Sequence, residues 1–296
     1  MAPFRYLQLH TSLHRYIRPS ADQSFARFVE FIKQTLGARK GLETEIEKNG
    51  VAPRKDFIHY LREGRDPETG KGYTTNELLV ELRLLMVAGS DTSSIVMTAA
   101  FFYLTRNPVA LERLQKELRG AFANVDEIVT GPRLSGCHYL RAVIDECLRV
   151  SPPVKSSLQR QAMEPGIVID GMPLPAGTLV GTATYGMHYS SDHYIEPTVF
   201  KPERWLPGYT PREEIDRAKA AFCPFSLGNR GCIGKPLAYN ELSIALGRVF
   251  WMYDVRLRNG DTTGEGPDGL YELKDIFVSE RDGPLCEFKK HELASQ

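Results

Sequence analysis

Apolar residues recur along this chain with two different periods, and the change from one to the other divides it. In SFARFVEFIKQTLGARK, residues 24–40, Phe25, Phe28, Val29, Ile32 and Leu36 recur at helical spacing and predict an amphipathic helix. GRDPETGKGY, residues 64–73, is a charged, turn-rich connector. TTNELLVELRLL comes next, with Thr74 and Glu77 at capping-box spacing, and predicts a long helix over 74–105 that Arg-Asn-Pro stops. VALERLQKELRGAF turns Leu111, Leu114 and Leu118 to one side, and HYLRAVIDECLRV predicts a helix over 138–150 that Pro152 and Pro153 end. Over 166–186, GIVIDGMPLPAGTLVGTATYG has short β-branched pieces cut by Gly and Pro, which predicts hairpins. KPLAYNELSIALGRVFWMYDV returns to helix with Ala238, Leu242, Ala245 and Val249 on one side, and residues 274–290 predict a closing hairpin that turns at Asp282 and Gly283. The pattern is mainly α with a small β portion.

Composition narrows the function. The 296 residues carry 37 basic and 37 acidic side chains, so nothing points to nucleic acid or an acidic partner. Five cysteines at irregular spacing, with no CxxC, argue against a disulfide scaffold and a structural zinc site and favour a reducing compartment. The N-terminal MAPFRYLQLHTSLHRYIRPS is too polar for a signal peptide or anchor. The apolar run over 84–104 is interrupted at Asp91 and predicts a buried helix rather than a membrane span.

The densest chemistry lies in FCPFSLGNRGCIGKPLAYNEL, residues 222–242. Cys232 precedes a helix with Pro236 in its first turn, and helix N-termini and nearby cations favour a thiolate. Gly228 and Gly231 permit a tight turn that points the sulfur outward, Gly234 leaves room for a large flat group, and Arg230 offers a planar fork to a carboxylate. A buried structural cysteine is an alternative reading. A phosphate-binding loop is another, weakened by the missing Lys-Ser/Thr ending.

FSLGNRGCIG matches, at every fixed position, the haem-binding signature Phe-x-x-Gly-x-Arg-x-Cys-x-Gly of the cytochrome P450 family. The resemblance implies haem b (iron protoporphyrin IX) with Cys232 as axial thiolate, and Phe225, Gly228, Gly234 and Arg230 around the cofactor. It extends in order to other segments. DECLR holds Glu146 and Arg149, by spacing alone an ordinary surface pair, and resembles the family's Glu-x-x-Arg motif. FKPERW supplies Arg204 to complete a buried, structural cluster. AGSDTS, residues 88–93, resembles the oxygen-activation motif, with Asp91 and Thr92 handling protons and Ala88 leaving space for a ligand. PPVKSSLQRQ resembles the segment entering the first β-sheet, with Arg160 at a propionate and Val154, Leu158, Ile276 and Phe277 toward substrate. His188 matches a frequent family histidine near the haem edge and reads as a structural residue.

The resulting expectation is a single, incomplete cytochrome P450 domain over 1–296, matching the family from about Ser24 onward. The haem-thiolate loop and the helix after it occupy 222–250. Against complete members the chain would lack the anchor, the early helices, the gating loop, part of the sheet and the Trp-x-x-x-Arg helix. Its tryptophans are Trp205 and Trp251, and Val255 stands four residues after the latter. The implied activity is monooxygenation of a small apolar substrate with O₂ and electrons from an NADPH–cytochrome P450 reductase, in secondary metabolism of the fungal microsomal type. The implied place is the cytosolic face of the endoplasmic reticulum, or the cytoplasm for an anchorless chain. The rivals are a non-catalytic haem-binding remnant or interaction subunit, and a peroxide-using haem-thiolate isomerase or dehydratase.

Overall fold

The computed structural model describes residues 19–50 and 55–292, so the expectation for the first eighteen residues lies outside the described residues. The chain packs as two compact units, one up to Ala88 and one from Gly89 onward. In the first, the helices Pro19–Lys48 and Phe57–Glu63 and the opening turns of the Thr75–Arg106 helix gather Ile32, Leu36 and Leu82, with Phe28, Ile58, Leu61, Leu79 and Met86 against them. Asp56 caps the short helix by accepting the His59 N–H and also receives Arg39 Nε at 2.7 Å. The capping box at the start of the long helix is formed. The Thr74 N–H donates to Glu77 Oε2 at 2.7 Å and the Glu77 N–H donates to Thr74 Oγ1 at 3.3 Å.

The second unit holds the main core. Four helices share it: the end of Thr75–Arg106 through Ile95, Val96, Ala99 and Phe102; Pro108–Ala121 through Leu114 and Leu118; His138–Val150 through Leu140, Val143 and Ile144; and Lys235–Met252 through Leu242, Leu246 and Phe250. Packing is tight at Gly247, where an added Cβ would lie 3.2 Å from Ile128 Cγ2 and 3.7 Å from Leu140 Cδ2. Among the described residues the strands form three two-stranded antiparallel sheets. Strands β1 (Arg160–Gln161) and β4 (Leu179–Val180) pair, β2 (Ile167–Ile169) turns back on β3 (Met172–Leu174), and β5 (Tyr253–Leu257) pairs with β6 (Cys286–Lys290).

Several expectations need correction. The tail does not fold on itself at Asp282 and Gly283. Its last strand pairs instead with β5, because that strand leaves the Lys235–Met252 helix with an open edge beside the core, while a Lys274 to Glu280 bridge closes a separate loop. Residues 184–186 belong to a short helix, Thr184–His188, rather than to a hairpin. The Lys235–Met252 helix buries Leu242, Leu246, Gly247, Phe250 and Trp251. This stripe is rotated from the expected one, with Ala238, Ala245 and Val249 only half-buried. The Thr75–Arg106 helix is long and apolar enough to cross a membrane by length and composition. It is not buried throughout: Val80, Leu84 and Val87 are exposed, whereas residues 99–104 are almost wholly core.

Replacing Gly247 by Ala should change stability by less than about 1 kcal/mol, because the gain in helix propensity offsets the tighter contact. Gly247→Leu should lower it by about 1–3 kcal/mol through overpacking, read from the urea midpoint.

Candidate functional site

The centre of the site is a carboxylate without solvent. Glu146 and Arg149 are both fully buried, and Arg204 from the short Pro202–Trp205 turn is 5% exposed. Arg149 grips Glu146 with two parallel bonds, Nη2 to Oε1 at 2.7 Å and Nε to Oε2 at 2.9 Å. Its remaining donors reach the carbonyls of His188 at 2.9 Å, Pro197 at 2.6 Å and Val199 at 3.1 Å, so all five guanidinium N–H groups are satisfied. Glu146 also accepts from the Lys201 N–H at 2.9 Å, Trp205 Nε1 at 2.9 Å and Arg204 Nε at 3.4 Å. Burial alone would push its carboxyl up. Arg149 and then Arg204 more than offset this and hold the group below its ordinary range. Spacing alone reads this pair as a surface one; the structure buries it because Trp205 and the Lys201 amide close over it.

One step outward sits His188, fully buried. Its Nδ1 lies 3.1 Å from the Arg149 carbonyl, and its Nε2 accepts the Cys223 N–H at 3.1 Å. A carbonyl only accepts and an amide only donates, so the ring is neutral with its proton on Nδ1. Burial is the main reason its pKa falls to about 4. Phe222 stacks on the ring with centroids 5.6 Å apart.

Beyond Cys223 the loop turns sharply. Its Ser226 has φ +59° and Gly228 φ +69°. The Ser226 N–H donates to Cys223 O at 3.0 Å, and the Cys232 N–H donates to Phe225 O at 2.8 Å. Gly231 is confined by the Gly228 carbonyl, which would lie 3.1 Å from an added Cβ. Cys232 emerges exposed just before Lys235–Met252, with Pro236 in that helix's first turn. Of the five cysteines, Cys137 and Cys147 are buried and Cys223 and Cys286 half-buried. Burial raises all four thiols, Cys137 to about 11. Around Cys232, Leu227, Ile233 and Leu237 are exposed, Ile233 by 95%. Arg230, in the Gly228–Arg230 turn, is exposed and has no ion-pair partner among the described residues.

Asp91 and Thr92 lie on the same long helix, but not in a closed notch. Asp91 is exposed and Thr92 half-buried, while the next residue, Ser93, is buried and donates to Glu241 Oε2 at 2.9 Å. Glu241 is nine residues beyond Cys232, so this bond ties the polar stretch to the helix after the cysteine loop. Ser93 and Trp205 end the AGSDTS and FKPERW segments and Glu241 lies within residues 222–242, but neither spacing nor composition gives any of the three a role of its own. Ala88, exposed, is the last residue of the first unit. Arg160 is exposed and folds back on the carbonyls of Leu158 and Gln159. Val154 and Leu158 are half-buried, and their segment is brought beside the loop carrying Ile276 and Phe277. The Ser279 N–H donates to Pro153 O at 2.9 Å, and Ser156 Oγ to Asp275 Oδ1 at 3.3 Å. Phe277 itself is exposed at φ +90°.

A mainly helical chain that presents one open sulfur, ringed by uncovered apolar side chains and an unpaired guanidinium, has the donor set of a haem-thiolate protein: a soft ligand, a flat apolar bed and a fork for a carboxylate. The cytochrome P450 family model matches residues 2–269, and the chain belongs to that family. It is similar to the cytochrome P450 monooxygenase apf7 of Gibberella fujikuroi, 39% identical over 287 residues, which cover 94% of this chain and 54% of the relative. The cytochrome P450 monooxygenase lcsN of Purpureocillium lilacinum is 36% identical, over 94% of this chain and 82% of that protein. The fold is similar to the crystal structure of a cytochrome P450, CYP102L1, with TM-score 0.70 at 22% identity, covering 97% of this chain and 60% of that one. The chain thus spans about half the length of the first curated relatives it matches. Family and fold together imply haem with a cysteine thiolate ligand.

Replacing Glu146 by Gln leaves two buried guanidiniums without their counter-charge, and should lower stability by about 3–5 kcal/mol in urea titration. Acid should destabilise the fold through His188 as well. An unfolded histidine takes its proton near pH 6.5, the native one only at about 4. This contribution is therefore complete above about pH 6.5 and falls by about 3 kcal/mol as pH drops to about 4. His188→Gln, which does not titrate, should flatten that part of the profile in urea midpoints taken between pH 7 and pH 4.5.

Proposed function

We propose that this chain carries the haem-thiolate centre of a monooxygenase, with Cys232 as the axial ligand of haem b. The observation that carries the reading is the open sulfur of Cys232, set at the head of a helix among exposed apolar side chains. Bound haem would supply an iron that activates dioxygen, with thiolate donation favouring O–O cleavage. Gly234 suits the approach of a flat ring, since an added Cβ there would meet only the Cys232 sulfur, at 3.7 Å, and the glycine leaves that space beside the sulfur clear. Phe225 and Gly228 shape the turn behind the sulfur. Arg230 would hold one propionate, and Arg160, released from its own backbone carbonyls, the other.

Asp91 and Thr92 would manage protons. Asp91 faces water and can reload from it, whereas the half-buried Thr92 carries a hydroxyl one residue along the same helix. Neighbouring helix residues point about 100° apart, so the hand-over between them would run through a water. Val154, Leu158 and Phe277, on segments that the Ser279 bond to Pro153 brings together, would line the place of a small apolar substrate. Electrons would come from an NADPH-dependent reductase at the cytosolic face of the endoplasmic reticulum. The similarity to fungal monooxygenases supports a role in secondary metabolism.

The reduced, haem-loaded protein should show the red-shifted carbon-monoxide difference band of thiolate-ligated haem, and Cys232→Ala should abolish it. A chain that stays haem-free and silent in this measurement would instead be a non-catalytic member. Thr92→Ala should keep the band but raise the oxygen consumed per product several-fold; unchanged coupling would remove Thr92 from the relay. Product formed with hydroperoxide alone, and not with NADPH and reductase, would favour isomerase or dehydratase chemistry over monooxygenation.

A further inference from the structure

Residues 223–232 make most of their hydrogen bonds within the loop: Ser226 to Cys223, Gly231 to Gly228, and Cys232 to Phe225. Among the described residues, the hydrogen bond that ties this stretch to another part of the fold runs from the Cys223 N–H to His188 Nε2. The imidazole is in turn fastened on its other side. Its Nδ1 donates to the Arg149 carbonyl, while its own backbone carbonyl takes a guanidinium N–H of the same Arg149. Ring rotation is blocked by the Phe222 stack and by Tyr194, whose ring lies edge-on at 6.4 Å. The buried ion-pair cluster and the cysteine loop share no side-chain hydrogen bond with each other among the described residues; Trp205 packs on Phe222 with centroids 4.7 Å apart, and the hydrogen-bonded link between the two parts is the imidazole of His188.

We propose that His188 is a positioning residue: accepting the Cys223 amide while held by Arg149, it fixes the entrance of the cysteine loop and thereby the direction in which the Cys232 sulfur points. The path is short. Nε2 holds the Cys223 amide, the Cys223 carbonyl holds the Ser226 amide, and the adjacent Phe225 carbonyl holds the amide of Cys232. Each step after the imidazole is backbone, so a shift at Cys223 is passed to the residue that bears the sulfur rather than absorbed by a flexible side chain. Only an unprotonated Nε2 can serve, which is why the neutral tautomer matters here. The proposal rests on the reading of Cys232 as an iron ligand for its effect on haem, but not for its effect on the loop.

Two isosteric probes separate positioning from mere filling of space. His188→Asn keeps an N–H for the Arg149 carbonyl but has nothing that reaches Cys223. His188→Gln extends an amide oxygen to where Nε2 stands and restores an acceptor. In the haem-free chain, exchange of the Cys223 and Cys232 amides with deuterium should quicken at least tenfold in His188→Asn and stay within about threefold of the parent in His188→Gln. In the haem-loaded chain, His188→Asn should convert at least half of the thiolate band of the reduced carbon-monoxide complex to the blue-shifted form. His188→Gln should retain it. Equal behaviour of the two variants in both measurements, whether both parental or both collapsed, overturns the proposal. If the parent itself shows no thiolate band, the functional reading fails, and the exchange comparison alone decides the role of His188.

Discussion

A carboxylate cut off from water must find every one of its hydrogen bonds inside the protein, and Glu146 organises its surroundings around that demand. Its two oxygens receive five donors from the 138–150 helix and from residues 201–205. These parts lie more than fifty residues apart in sequence, and beside the charges they share a small apolar cluster that includes Ala142 and Trp205. Their union is held in large part by the cost of leaving either charge uncompensated in a dry place. Removing one partner therefore disturbs all of them at once.

The cysteine loop is rigid for a different reason. Few of its side chains are buried, and it is shaped by its own backbone bonds and by turns that need positive φ at Ser226 and Gly228. A loop of this kind holds its internal form but is only as well placed as its attachments. One attachment is covalent, at the head of the Lys235–Met252 helix, whose Leu242, Leu246 and Phe250 sit in the core. Others are the Cys223 bond to His188 and the Phe225 ring against Tyr239, centroids 5.3 Å apart. Between these attachments the sulfur of Cys232 stays exposed.

How much of this is legible in the chain alone depends on the range of the interaction. Local rules serve the helices well: the Thr74 and Glu77 box and the apolar stripe of 138–150 lie where spacing puts them, because periodicity and capping are settled within a few residues. The same rules misjudge Glu146 and Arg149, since a pair at i, i+3 looks alike on a surface and in a core until Trp205 arrives from far along the chain. The tail departs from expectation similarly. Asp-Gly is a good turn, but the open edge of β5 offers its last strand a better partner. Apolar neighbours in sequence suggest that Asp91 is enclosed, yet several of them are themselves exposed. For the candidate site, the short glycine and cysteine pattern stands out in the sequence, and the structure gives it a tight turn with positive φ at Gly228 and an exposed Cys232. The Ser93 bond to Glu241 and the two-sided grip on His188 join residues whose types carry no signal by themselves.

The uneven shielding of the sulfurs has a chemical consequence. Four of the five thiols are screened by the fold and held in their protonated form, so oxidants meet Cys232 first. That sulfur stands alone at the foot of the path from sulfenic to sulfinic acid, and the second step is irreversible. With no neighbouring exposed thiol to rescue it as a disulfide, Cys232 is the position an oxidising medium alters first, while the core beneath it remains intact.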